Sequence, residues 1–252
     1  DYFYGFEPAM VDQFEPNLIE NTRILPPPQE KDYVFERDIA DRAVHWLREI
    51  RATGRDRPFF LYFATAAAHA PVQAPADWIL KYRGRFDRGW DAERADTLTR
   101  QKRLGIAPAN AALTPRAAGV PAWNSLNADQ QRIAARMMEA YAGMLSHADH
   151  QIGRVLDELR AAGQYDDTLI IYIQGDNGAS PEGGRDGVFN YYDAINALGS
   201  AGPIAQDSAK LLAQLDKLGG PGSAPAIPIG WTNALNTPFP SWKTDASNLG
   251  SM

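Results

Sequence analysis

Cysteine is absent from the 252 residues and histidine occurs only four times. The first absence removes disulfides and thiolate metal sites, and the two together argue against an ordinary zinc enzyme. Long apolar runs are missing too. The longest, around Phe59 to Ala64 and Leu169 to Ile173, are the size of a strand and far short of the roughly 18 residues of a membrane span. Lysine and arginine form no block and are outnumbered 25 to 31 by aspartate and glutamate, giving a formal net charge of −6. Affinity for nucleic acid or anionic membranes rests on neutralising phosphate, so neither is an expected partner. Gly183-Gly184-Arg185-Asp186-Gly187 lacks the lysine of a phosphate-binding loop, and no Gly-x-Ser-x-Gly elbow occurs. The opening Asp1-Tyr2-Phe3-Tyr4-Gly5-Phe6 has neither an initiator Met nor a signal-peptide core, and the end, Ser247 to Met252, is a polar loop. The chain therefore reads as an internal segment of a longer protein. What is present, 44% hydrophobic and 22% charged residues, is ordinary globular composition with enough apolar mass for a core.

That apolar mass falls into a repeating order. From about Phe35, the residues Ile39, Ala43, Trp46, Leu47 and Ile50 recur at three- and four-residue steps ahead of Gly54, which predicts an amphipathic helix. Phe59-Phe60-Leu61-Tyr62-Phe63-Ala64 follows, apolar throughout and bounded by Pro58, the pattern of a strand buried on both faces. Short helices are expected over Pro75 to Tyr82 and Trp90 to Leu104, and a long one over Ala128 to Ala162 between a candidate N-cap, Asn127, and a candidate stop, Gly163. A second buried-strand signature, Thr168 to Gln174, comes next. Helix, strand, helix, strand is α/β logic: a mostly parallel central sheet flanked by helices, with ligands at the carboxyl ends of its strands. Residues 1–32, with Pro26-Pro27-Pro28, read as a loop hugging the surface. Beyond Gly187 the chain loosens into Gly, Ala and Pro around one helix expected at Asp207 to Leu218.

Three places carry residues suited to chemistry. Gly175-Asp176-Asn177-Gly178, at the mouth of the second strand, sets a carboxylate beside a carboxamide. Two hard oxygen donors suit Ca²⁺ or Mg²⁺, and the same letters also make a plain turn. His69 follows the first strand, where it is either a general acid and anion donor or a core histidine satisfied by backbone. His45, His147 and His150 lie inside helical patterns and read as packing or helix-surface residues. Lys243 ends the aromatic, proline-stiffened loop Gly230 to Trp242, as a cation fixed for an oxyanion or as a hydrated surface lysine.

Several stretches together resemble one family. Tyr2-Phe3-Tyr4-Gly5-Phe6, Pro58 to Ala64 with Ala68-His69-Ala70-Pro71, Lys81 to Asp91, Gly175 to Gly184 and Trp231 to Lys243 are similar, in order, to motifs of bacterial arylsulfatases of the alkaline-phosphatase superfamily. The resemblance implies an alkaline-phosphatase-like α/β fold and hydrolysis of a sulfate ester, small-molecule or carbohydrate. It implies Asp176 and Asn177 as oxygen ligands of a calcium ion, with Asp176 also the base that helps activate the nucleophile. His69 would assist departure of the alcohol or phenol, and Lys243 would hold a sulfate oxygen. The family's nucleophile is a hydrated formylglycine made from cysteine, and its Asp-Asp metal pair, Cys-x-Pro/Ala-x-Arg and Gly-Lys-Trp-His motifs do not occur here.

Residues 1–252 are thus expected to be the central part of a sulfatase catalytic domain, with the nucleophile segment upstream and the smaller carboxyl-terminal domain absent. The chain alone is expected to be inactive and to bind calcium weakly. A phosphonate or phosphate ester hydrolase of the same superfamily, or a non-catalytic sulfatase-like binding protein, remains an alternative. His69, Asp176, Asn177 and Lys243 are expected to converge on one cleft, residues 188–229 to form a specificity loop, and apolar surface to lie exposed where missing segments pack.

Overall fold

The computed structural model describes residues 2–8, 10–54, 57–173, 178–193 and 208–243. Its helices are α1 (Phe35–Thr53), α2 (Ala76–Leu80), α3 (Gly89–Arg103), α4 (Ala128–Ala161), α5 (Ser208–Ala213) and α6 (Ile229–Leu235). The long α4 begins where expected, because Asn127 and Gln130 form a reciprocal capping box. It also ends where expected. Gly163 takes a φ of +68° while its N–H bonds to Arg160 and that of Gln164 to Leu159, a Schellman close that favours glycine. Among the described residues no helix is long and apolar enough to cross a membrane.

Two contacts organise these helices. The stripe Ala40, Ala43 and Leu47 of α1 packs on Val155 and Leu159 of α4, and Arg48 of α1 donates twice to Glu158 Oε2, at 2.9 and 2.7 Å. Toward its start, α4 offers Ile133, Met137, Ala140 and Met144 to a larger core with Ile79, Phe86, Trp90, Trp123, Leu218 and Trp231. Trp90, Trp123 and Trp231 sit with ring centroids 4.7 to 5.8 Å apart, and Phe86 lies edge-on to Trp231 at 5.5 Å. Such mutual edge-to-face packing adds to what burial alone contributes.

The sheet differs from expectation. Among the described residues it is a small antiparallel one, β1 (Tyr4–Gly5), β2 (Ile19–Glu20) and β3 (Arg23–Ile24), formed by the stretch read as a loop. Asn21, at φ +56°, turns the β2–β3 hairpin, a conformation that asparagine tolerates. Neither apolar run pairs as a strand with another described segment. Phe59, Leu61 and Phe63 lean on the α1–α4 contact, yet Phe60 and Tyr62 are 86% and 78% exposed. Leu169 and Ile173 are 85% and 78% exposed. A strand is defined by its neighbours' backbone, so an apolar run without partners stays extended with its outer face in solvent.

The helical histidines take helix-surface or packing positions. His45 is exposed beside Glu49, whereas His147 is buried on α4 with its ring 5.2 Å from Trp78. Burial first, and the neighbouring His150 second, push the His147 pKa down from 6.5 to about 4. Between these two values the unfolded chain binds a proton that the folded chain refuses. Stability is therefore expected to fall by on the order of 2 kcal/mol as pH drops from about 6.5 toward 4, a slope that His147→Gln should flatten in thermal melts across that range.

Candidate functional site

His69 belongs to a tight turn that follows the 57–64 run. Its N–H donates to Ala66 O at 3.1 Å, and its Nδ1 lies 2.7 Å from Ala70 O. A carbonyl only accepts, so Nδ1 carries a proton and Nε2 is the nitrogen left for other chemistry. Ahead of the histidine, Ala66 N–H and Ala67 N–H donate to Oε1 of Glu36, at 2.7 and 3.0 Å. Burial holds the Glu36 carboxyl above the usual range, against these hydrogen bonds that favour its charge.

Behind the histidine, the chain runs beside residues 219–226. Val72 N–H bonds to Pro225 O, and Ala74 N–H to Gly219 O. On the other side of the same strip, Val188 and Ala226 exchange two backbone bonds, and Tyr191 N–H reaches Ala224 O. Tyr191 then touches two parts of the site: its ring stands edge-on to His69, 6.5 Å between centroids, and its hydroxyl bonds to Glu182. Burial, followed by that bond, raises the phenol pKa. Of residues 188–229, expected to form a specificity loop, Val188, Tyr191, Ala224 and Ala226 are buried, whereas Asp193, Lys210, Asp216 and Lys217 are exposed.

The third region docks on the turn that carries Glu182. Ala179 is gripped on both sides, its N–H by Asn236 Oδ1 at 2.9 Å and its carbonyl by the Lys243 N–H at 3.1 Å. Thr232 of α6 donates to Ser180 O at 2.8 Å, and Ile229 N–H to Gly184 O at 2.7 Å. At Gly178, φ is +92° and a Cβ would stand 2.7 Å from Lys243 N, so only glycine fits. Lys243 is therefore placed by its backbone against the residues that immediately follow Asp176 and Asn177. Asp176 and Asn177 themselves lie outside the described residues. The stretch before Lys243, read as a loop, starts as the buried helix α6, with Trp231 Nε1 donating to Ala134 O at 2.8 Å.

Comparison with known proteins places the chain in a family. The sulfatase family model matches residues 1–223. The chain belongs to the sulfatase family. An arylsulfatase of Klebsiella aerogenes is 29% identical over 203 residues, 81% of this chain and 40% of that protein. An uncharacterized sulfatase of Schizosaccharomyces pombe is 37% identical over 134 residues, 53% of this chain and 24% of its own. A third, an uncharacterized sulfatase of Escherichia coli, is 28% identical over 184 residues, 73% of this chain and 23% of its own. The chain thus spans less than half the length of the relatives it matches. Family membership brings an alkaline-phosphatase-like fold class, of which the described residues contribute the helices and the small antiparallel sheet. Lys243 lies beyond the matched residues.

Three contributors escaped the sequence reading. Glu36 looks like an ordinary acidic residue in a first helical turn, Asn236 like a loop polar and Tyr191 like one aromatic among many. Their partners lie far along the chain, so no local pattern marks them.

Proposed function

We propose that this chain is the central part of a sulfatase catalytic domain, one that cleaves a sulfate monoester around a mostly parallel sheet completed by further strands. The observation that carries the proposal is the double grip on Ala179, which ties the Lys243 backbone to the turn following Asp176 and Asn177. The Lys243 backbone is thereby held at Ala179, three residues after Asp176 in the sequence. That the relatives are all named sulfatases favours sulfate over the phosphonate or phosphate alternative.

Each residue then has a task. Asp176 and Asn177 are oxygen donors of the kind calcium prefers, and among the described residues no group of three or more acidic, His or Cys side chains competes as a metal site. Calcium held by them would supply positive charge to a sulfate oxygen. Two side chains fall short of the about six to eight oxygens that the ion takes, so the remaining ligands come from elsewhere. Formylglycine, made from the cysteine of Cys-x-Pro/Ala-x-Arg or a serine in its place, would supply the nucleophile, and that motif does not occur among these 252 residues. Asp176 accepts the nucleophile's proton. His69, with Nδ1–H committed to Ala70 O, gives a proton from Nε2 to the departing alcohol or phenol oxygen, and so acts as an imidazolium. Lys243 binds a sulfate oxygen through Nζ and offsets charge that grows there in the transition state.

The test compares two polypeptides on an aryl sulfate. Residues 1–252 alone should release no phenol. A longer parent carrying Cys-x-Pro/Ala-x-Arg ahead of Asp1 should release it, and lose that activity on calcium chelation. Phenol release by the 252-residue chain, or a parent with an inert residue where that cysteine or a serine should stand, would overturn the reading.

A further inference from the structure

A carboxyl group is an expensive thing to place under the His69 turn. Glu36 is 1% exposed, and its Oε2 has no hydrogen-bond partner. Burying a carboxylate costs several kcal/mol unless its oxygens are satisfied, and a leucine would fill similar volume without that cost. All of its bonding is gathered on the other oxygen. Oε1 accepts from Ala66 N–H at 2.7 Å, Ala67 N–H at 3.0 Å and Gln13 Nε2 at 3.4 Å.

Gln13 makes this aim rigid. Its side chain also accepts from the Glu36 N–H at 3.1 Å, so the two residues clasp each other. Its own N–H donates to Gln73 Oε1 at 2.8 Å, and Gln73 Nε2 in turn donates to Ser223 O at 2.6 Å and Asp12 Oδ2 at 2.7 Å. The network therefore takes hold of the chain at Ala66 and Ala67, before His69, and at Gln73, after it. Gln13 and Gln73 are both buried, and the network draws on four separate stretches of the chain. The α1–α4 contact is made without it, by Ala40, Ala43, Leu47, Val155 and Leu159, while Val11, Phe35, Ile39 and Ala66 pack beside it.

We infer that Glu36, clasped by Gln13, is a positioning residue for His69: it fixes the Ala66–His69 turn so that the imidazole meets the leaving-group oxygen. The inference rests on the sulfatase reading only for what His69 does, not for how it is held. Hydrogen exchange tests the hold without any activity. In Glu36→Leu, the Ala66 and Ala67 amides of residues 1–252 should exchange at least about tenfold faster and the His69 ring resonances should shift, while amides at Met137 and Met144 keep their protection. Glu36→Gln, which retains an acceptor oxygen, should restore slow exchange. Should Glu36→Leu fail to fold, Gln13→Ala must release the same two amides.

In the active parent sulfatase, Glu36→Leu should lower kcat more than it raises KM. The loss should grow as the leaving phenol becomes more basic, and a merely structural role would not depend on the leaving group. Unchanged amides at Ala66 and Ala67, or exchange that rises equally through the whole molecule and is not rescued by Glu36→Gln, would overturn the inference. An inactive parent with the amides released would instead sink the sulfatase reading and leave the positioning intact.

Discussion

Replacing Trp231 by alanine is expected to destabilise the chain by about 4 kcal/mol and to lower its melting temperature by roughly 10 °C. The indole is completely buried among Phe86, Trp90 and Trp123, so the truncation opens a cavity that three large rings cannot collapse into. It also removes the hydrogen bond that Trp231 Nε1 donates to the Ala134 carbonyl of α4 inside the core. Native domains hold only about 5 to 15 kcal/mol in total, so this one change removes a large share. Urea unfolding followed by far-ultraviolet circular dichroism measures it. Trp231→Phe, which retains most of the volume and loses the donor, should fall between the two. A loss below about 1 kcal/mol for Trp231→Ala would contradict the placement of α6.

The second large effect falls on turnover. In the parent sulfatase, Lys243→Ala is expected to lower kcat by about 10² to 10³, the range seen when a fixed group that stabilises developing oxyanion charge is deleted. KM should move less, because the lysine's contribution grows as the sulfate group gains charge in the transition state. Lys243→Arg should recover only part of the rate, since a planar guanidinium cannot occupy the position of a point-like ammonium. Steady-state kinetics on an aryl sulfate decide it, and a fall of less than about threefold would remove Lys243 from the site.

The helices were legible because their signals are local. Ile39, Ala43, Leu47 and Ile50 state the period of α1 within a single segment, and Asn127 with Gln130 and Gly163 mark the ends of α4. Strands answer to other parts of the chain. The apolar run at 59–64 has the composition of a buried strand, but only partners could bury it, and Phe60 and Tyr62 remain in solvent. The hairpin at Ile19 to Ile24 escaped notice because its turn is Asn21-Thr22 without the usual glycine. α6 was hidden by Gly230 and Asn233, poor helix formers that tertiary packing around Trp231 overrides. His69 and Lys243 were singled out by motif context, whereas Glu36 and Gln13 gain their meaning only from a contact that joins two distant stretches.

The three closely packed tryptophans also give the molecule an optical signature. Indoles 4.7 to 5.8 Å apart, with Trp90 near right angles to both of its neighbours, exchange excitation and rotate near-ultraviolet light as a unit. The trio joins α3, the segment at Trp123 and α6, and α6 leads directly into the stretch that ends at Lys243. The intensity of that band therefore reports whether the lysine-bearing segment is seated. Loss of the signal ahead of helix melting would reveal a site that disassembles while the scaffold around it still stands.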